Sequence, residues 1–259
     1  MIDGATDRSA AGPALDKSAG QIAGMFDAIA GRYDLLNHVL SAGFDRRWRK
    51  LAVRELALTG NETVIDACTG TADLAIELAL GAPDGSRASR VVGIDFAGAM
   101  LARGRTKLAQ RGLGGRVQLV RSDATRLPMP DGSTDAATVA FGIRNVEDPY
   151  RALAELHRVV RPGGRIAVLE FGMPTVPGLR ALYAWYFRSV LPALGRLVSR
   201  HDSAYAYLPA SVGQFPSGDA FLGLLRASGF EEVAARPLHF GIVYLYTAVR
   251  PSTGRAIID

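Results

Sequence analysis

One cysteine in a chain of 259 residues, Cys68, rules out a disulfide framework within the chain. The four histidines, His38, His157, His201 and His239, lack the spacing of a metal cluster, so no zinc or iron site and no metal cofactor is expected. No apolar run approaches a membrane span and the N-terminus lacks a basic-then-apolar signal, so a soluble cytoplasmic protein is the default expectation. The dinucleotide fingerprint Gly-x-Gly-x-x-Gly is missing too. In the turn where it would be written, position 68 is Cys and position 72 is Ala. Internal repeats and interdomain linkers are absent. What the chain has is a hydrophobic content of 48%, ample for a core, and a length suited to one large α/β domain with additions. Its net charge of +5 is mostly arginine. It suits an anionic partner, whether nucleic acid, phospholipid surface or phosphorylated substrate, without choosing among them.

The chain is organised around Val64-Ile65-Asp66-Ala67-Cys68-Thr69-Gly70-Thr71-Ala72-Asp73, followed by the helical run Leu74–Ala79. An apolar strand ends in an acid, turns tightly, and opens a helix, which is where an α/β sheet binds a nucleotide-like ligand. Gly70 lets the backbone turn and approach a ligand, and the helix start points free N–H groups into the crevice. Cys68 reads as a small apolar filler of this turn rather than a nucleophile. The Asp66-x-x-x-Gly70-Thr71 spacing resembles the first motif of class I S-adenosylmethionine (SAM) methyltransferases. A second strand, Val91–Asp95, ends in an acid 25 residues after Gly70. Asp95 can accept both hydroxyls of a ribose, or cap the helix expected over Ala99–Gln110. A third strand, Val117–Val120, runs into Ser122-Asp123-Ala124, where an acid can meet an adenine amino group.

In chain order, residues 1–20 read as a disordered Ala/Gly/Asp/Ser tail, and 21–259 as a single methyltransferase domain. Short helices are expected over 21–60, covering the cofactor or substrate or simply packing on the sheet. Arg46, Arg47, Arg49, Lys50 and Arg54 read as a solvated face, with contact to an anionic membrane the sharper alternative. From 64 to 170 strands and helices alternate, predicting a parallel sheet. Helices are expected over Thr71–Leu80 and over Pro149–Val160, the latter capped by Asp148 and stopped by Pro162-Gly163-Gly164. The strand Ala136–Phe141 should lie beside the first, so Gly142-Ile143-Arg144-Asn145 borders the crevice. Arg144 there is a substrate-binding candidate, or the partner of an acid such as Glu147. Residues 172–215 break the alternation with an apolar aromatic stripe from Leu179 to Leu191, either core or a cap with a slot for a long lipid. A helix over Gly218–Ala227 and strands over Glu231–Pro237 and His239–Val249 complete a C-terminal antiparallel hairpin.

Several motifs together resemble one family, the menaquinone/ubiquinone-biosynthesis C-methyltransferases, from about Met25 to about Val249. They are Tyr33-Asp34, Asn37, Ser41 and Trp48; Phe141-Gly142-x-Arg144-Asn145; Arg158-Val159 with Pro162-Gly163-Gly164 and Glu170; and Tyr205, Tyr207-Leu208, Ser211 and Phe215-Pro216. The chain departs from the family at Asp45, usually His, and at Ala140, where many members carry Ser. The resemblance implies a Rossmann-like, mostly parallel sheet and SAM contacts at Thr71, Asp95 and the Asp123-Ala124 pair, and the glycine turn adds Gly70 to the expected cofactor site. It also implies methyl transfer, without a metal, to a ring carbon of a polyprenylated quinol. The Cys-x-Gly-Thr-Ala-Asp form of the first motif resembles members that make menaquinone, so demethylmenaquinol is the first expected substrate and 2-polyprenyl-6-methoxy-1,4-benzoquinol the second. Arg144 would stabilise the phenolate directly or through a water, with Asn145 and Tyr33 orienting ring hydroxyls. His201 and Asp202 could serve as bases by position alone. The rival reading is an RNA-directed SAM-binding protein, supported by the basic charge. No Asn-Pro-Pro-Tyr-type motif follows the fourth strand and the insertion is apolar, so a nucleic-acid partner is not expected.

Overall fold

The computed structural model describes residues 15, 17–31, 33–174, 176–185 and 202–252. Three helices come first: α1 (Ala19–Ile29), α2 (Tyr33–Leu40) and α3 (Asp45–Glu55). The alternating part follows as β1 (Thr63–Ala67), α4 (Asp73–Leu80), β2 (Arg90–Asp95), α5 (Gly98–Gln110), β3 (Val117–Arg121) and β4 (Thr134–Ala140). A 3-10 turn over Ile143–Asn145 leads to α6 (Pro149–Val159) and β5 (Val160–Phe171). Then come α7 (Pro177–Trp185), α8 (Asp202–Gln214), α9 (Asp219–Ala227), β6 (Glu231–Leu238) and β7 (Val243–Val249).

Among the described residues seven strands form one sheet in the order β3-β2-β1-β4-β5-β7-β6. β1 to β5 are parallel, and β7 runs antiparallel between β5 and β6. The central strands are covered on both faces, so they read as near-continuous apolar runs rather than alternating ones. One face packs beneath α6 and α9, with Leu153, Leu156, Phe221 and Leu225 fully buried. The other packs beneath α3 and α4, with Ala52, Val53, Leu78 and Ala79. The chain reverses its direction across the sheet between β1 and β4, and an open α/β sheet leaves its crevice outside the strand ends there.

Several boundaries differ from those expected. Helix α4 begins at Asp73, not Thr71, because Ala72 adopts a left-handed conformation with φ 67° and Thr71 still belongs to the turn. Helix α6 is capped by Asp148, whose carboxylate accepts the Arg151 N–H at 3.0 Å, but it ends at Val159 before the Pro-Gly-Gly. That tripeptide lies inside β5, where Gly163 N–H donates to the Arg250 carbonyl beyond β7. The last strand starts at Val243, since His239 and Phe240 take positive φ and turn the chain first. Ala19 and Gly20, read as tail, already belong to α1, and residues 1–14 lie outside the described residues. So do Tyr186, Phe187, Val190 and Leu191 of the aromatic stripe, and His201. Arg49 is not on a solvated face: it is buried between Asp45, at 2.9 Å, and Asp73, at 3.3 Å.

Candidate active site

The turn after β1 is built by hydrogen bonds that need its residue types. Asp66 is buried at the strand end and accepts Thr69 Oγ1 at 2.5 Å and Thr138 Oγ1, from β4, at 2.7 Å. Burial pushes its carboxyl up to about 6 even against these two bonds. Asp66 therefore braces the turn from behind. Cys68 and Ala72 take positive φ, conformations that non-glycine residues adopt at a cost of about 1–3 kcal/mol and that cluster at functional sites. Burial pushes the Cys68 thiol up, which fits a filler and not a nucleophile. At Gly70, φ is 56° and a Cβ would meet nothing within 4 Å, so the backbone faces open space. Its N–H donates to Asp95 Oδ2 at 2.8 Å, while the Ala97 N–H donates to Oδ1 at 2.9 Å. The end of β2 is thus clamped to the turn after β1. Gly142 closes the third side: a Cβ there would lie 2.3 Å from that of Cys68, so only glycine lets β4 end against this turn.

Beside this turn lies a narrow cleft lined by Gly70, Asp95, Met100, Gly142 and Asn145. It shares Phe96 and Asn145 with a polar pocket of about 320 Å³, lined also by Asp123, Ala124 and Lys17. The Asp123 carboxylate accepts the Thr125 N–H at 2.8 Å. The side-chain oxygen of Asn145 is buried with no hydrogen-bond partner among the described residues. Thr71 lines neither space. Its hydroxyl donates to Asp34 at 2.5 Å and receives Lys107 Nζ at 3.1 Å, while Lys107 also pairs with Asp34 and Asp73. This network, with Arg49, ties α2 and α3 to the start of α4. Asp27 on α1 accepts the Ala99 N–H at 2.8 Å and so supplies the cap at the start of α5. The N-terminal helices are held over the sheet by these polar contacts.

On its other side the cleft shares Phe26, Tyr33 and Phe141 with a cavity of about 530 Å³. Its walls are mostly apolar and come from the N-terminal helices, from α7 and α8, and from the turn before β7. Arg144 reaches this wall as one half of a buried ion pair. Its Nη1 lies 2.7 Å from Glu170 Oε1 and also donates to the Phe141 carbonyl, and its guanidinium sits 5.2 Å over the Phe171 ring. The Arg144 partner is therefore Glu170, at the end of β5, and not Glu147, because β4 and β5 are neighbours and place both residues at the same strand ends. Arg144 Nε is buried without a partner among the described residues. Tyr33 lines cavity and cleft alike, and burial pushes its phenol up although Asn37 hydrogen-bonds it.

The structure thus brings Gly70, Asp95, Asn145 and Tyr33 to one cleft, Asp123 and Ala124 to its polar end, and Arg144 to its apolar end. Thr71 alone of the expected site residues is turned away. Sequence reasoning missed Phe141, Phe171 and His239 as wall residues. Phe141 carried a signal in its place just after a buried strand, but its φ of 57° was not readable. His239 receives the Trp48 indole N–H at 3.0 Å across 191 positions, a pairing that no local pattern announces.

Solved structures with this fold include a SAM-dependent methyltransferase from Thermotoga maritima, described as a possible histamine N-methyltransferase. Its TM-score is 0.60 at 19% identity, covering 88% of this chain and 99% of that one. Another is a putative S-adenosylmethionine-dependent methyltransferase from Methanococcus maripaludis, with TM-score 0.61 at 19% identity, covering 90% and 96%. The fold is the class I SAM-dependent methyltransferase fold. In sequence, the chain is 48% identical over 230 residues to a ubiquinone/menaquinone biosynthesis C-methyltransferase of Syntrophotalea carbinolica, 89% of this chain and 94% of the relative. It is 47% identical over 228 residues to a demethylmenaquinone methyltransferase of Thermus thermophilus, 88% of this chain and all of the relative. The sequence profile of one family matches residues 15–250, nearly the whole described chain, and the protein belongs to it: the ubiE/COQ5 methyltransferase family.

Proposed function

We propose that the protein transfers a methyl group from S-adenosylmethionine to a ring carbon of demethylmenaquinol, giving menaquinol. The observation that carries this reading is a largely apolar cavity of about 530 Å³ meeting the strand-end cleft at Tyr33 and Phe141, with Arg144 on the cavity wall bonded to the Phe141 carbonyl and to Glu170. A lipid-tailed ring fits such a cavity, and a polar nucleic acid does not.

The cleft fits the donor on three counts. Gly70 offers backbone to open space, Asp95 holds a carboxylate at the end of β2, and Asn145 has an unused buried oxygen. Asp95 would accept the ribose hydroxyls, and Asp123 and Ala124 would border the adenine. Thr71 would act through the turn it fixes, not by touch. Bound SAM supplies an electrophilic methyl group on a sulfonium. The chain's own task is to hold the acceptor carbon in line with it, and orientation of that kind lowers barriers substantially. A phenol ordinarily ionises near 10, and losing its proton makes the adjacent ring carbon nucleophilic. Arg144 would stabilise that oxyanion or hold a water that takes the proton, while Tyr33 and Asn145 orient the ring. The carbon gains the methyl group, the electron pair of the broken bond staying with sulfur, and releases its own hydrogen as a proton. No metal is needed in this scheme.

The exposed side chains Leu182 and Trp185 line the cavity, and Arg47 lies 5.8 Å over Phe44, another lining ring. Exposed apolar groups at the cavity and a cation over one of its lining rings support peripheral contact with an anionic membrane surface. No described helix is long and apolar enough to cross a membrane. The test is methyl transfer by purified protein to demethylmenaquinol, to the demethylated benzoquinol, and to the oxidised naphthoquinone. Transfer to the naphthoquinol alone is expected. Preference for the benzoquinol would reassign the substrate to ubiquinone synthesis, and equal rates on oxidised and reduced rings would overturn the phenolate chemistry.

A further inference from the structure

Tyr207 stands on α8, after the segment that breaks the α/β alternation, and lines the large apolar cavity. Its hydroxyl is buried and has no hydrogen-bond partner among the described residues. A buried polar group left unpaired costs about 1–3 kcal/mol, so buried phenols normally find a partner. Helix α8 packs against the turn that carries Arg144, both residues line this cavity, and Arg144 and Glu170 both act electrostatically on the hydroxyl. Arg144 Nε–H, on the same wall, is also buried and unpaired. The Phe171 ring under the guanidinium is apolar, and the cavity wall as a whole is mostly so. Two orphaned polar atoms at one end of an apolar space mark the place of a polar group on a ligand otherwise bound by apolar contact.

Resting on the reading of the protein as a quinol-ring methyltransferase, we propose that Tyr207 is an acceptor-binding residue. Its hydroxyl and Arg144 Nε–H together donate to one oxygen of the acceptor ring. A guanidinium nitrogen donates and does not accept, and burial pushes the Tyr207 phenol up, which keeps it a proton donor at neutral pH. Two donors on one oxygen hold a carbonyl or a hydroxyl and hold a phenolate more strongly. The pair therefore does two things. It selects an oxygenated ring over a hydrocarbon of the same outline, and it favours the ionised acceptor. Tyr207 breaks no bond; it acts through the oxygen that it holds.

The test is calorimetric binding of two probes without donor, 2-methyl-1,4-naphthoquinone and the hydrocarbon 2-methylnaphthalene, to wild type and Tyr207→Phe. One neutral hydrogen bond of about 1.4 kcal/mol corresponds to about tenfold in affinity. Wild type is expected to bind the quinone at least about tenfold more tightly than the hydrocarbon, and Tyr207→Phe to lose that margin for the quinone alone. SAM affinity and the melting temperature should not fall, because the hydroxyl removed has no partner. In turnover the variant's KM for the quinol should rise, with kcat falling further through the weaker hold on the phenolate. Equal quinone affinity in wild type and variant, or equal losses for both probes, overturns the role of Tyr207. A wild type that binds neither probe overturns instead the assignment of the cavity to a quinol ring.

Discussion

The cleft and the cavity meet at Tyr33 and Phe141, yet they are built from different parts of the chain. The cleft is made of strand ends. Gly70 and Gly142 follow β1 and β4 and Asp95 ends β2, and the turn between them is set by the sheet register and by bonds of 2.8 to 2.9 Å between backbone and the Asp95 carboxylate. The cavity is made of helices before and after the alternating region, and only Phe141, Arg144 and Phe171 reach it from the sheet. A site built on adjacent strands moves with the sheet or not at all. A site walled by α1, α7 and α8 can differ in shape while the sheet stays the same. Changes in the cleft should therefore reduce stability and donor binding together, and changes on the cavity wall should affect the acceptor alone. Arg144 lines the cavity but shares the fate of the sheet, since its partner Glu170 is a fully buried residue of β5.

The largest effect expected is at that shared residue. Arg144→Met should destabilise by about 3–5 kcal/mol, because it leaves the Glu170 carboxylate buried and unpaired. Denaturant unfolding measures this, and a loss under about 1 kcal/mol would mean that the backbone N–H groups of Arg144 and Phe171, which also donate to this carboxylate, suffice to hold it. Arg144→Lys keeps a charge near Glu170 but loses the planar fork and its Nε–H. Its kcat should fall about a hundredfold with donor affinity nearly unchanged, as for removal of one oxyanion donor.

Next comes the brace behind the cleft. The Asp66 carboxyl is raised in the folded protein from 3.8 to about 6, so its stabilising contribution is complete below 3.8 and is lost as pH rises through about 6. At about 1.4 kcal/mol per unit, the loss is about 3 kcal/mol. Asp66→Asn cannot titrate, so the stability of the variant relative to wild type should climb by about that amount across the same window. A flat difference curve would mean that Asp66 is not buried as a lone acid. Smaller again is Asp95→Asn, which exchanges one acceptor oxygen for an amide of similar shape. Donor affinity measured by calorimetry should fall about ten- to a hundredfold, in line with hydrogen bonds to a charged group. An unchanged affinity would remove Asp95 from the donor site.

The same division decides what the sequence reveals. Asp66, Gly70 and Asp95 were legible because an apolar run ending in an acid, followed by a glycine turn, repeats at βα spacing, and the sheet turns that spacing into adjacency. Arg144 was legible by its place after the fourth strand, but its partner was not. Glu147 is close in sequence, whereas Glu170 is brought near only by pairing of β4 with β5. The partners of Thr71 were not legible: the turn lasts until Ala72 and its hydroxyl meets Asp34 and Lys107, residues 37 and 36 positions away. The cavity wall was least legible. Trp48 with His239, and Phe141 with Phe171 at 4.7 Å, are tertiary pairings between elements that share no pattern.

The smallest stability change, and the sharpest test of the division, is on α7. Leu182 and Trp185 line the cavity yet are 57% and 54% exposed. Surface substitutions generally shift stability by less than about 0.5 kcal/mol. Leu182→Ala and Trp185→Ala should therefore leave unfolding curves and donor affinity where they are. Burying one prenyl carbon against such side chains is worth about 0.8 kcal/mol per CH₂ at full burial, so wild type should show KM falling as the acceptor tail lengthens. In the double variant that dependence should flatten, while KM for an acceptor with no tail stays within about twofold, since apolar contact is roughly proportional to area buried. Flotation with anionic liposomes reads the same residues as a surface. If tail dependence and liposome binding both survive, α7 is not the tail's wall. If unfolding shifts by well over 1 kcal/mol, α7 belongs with the strand-end cleft as part of the packed core, and the contrast between the two regions fails at that helix.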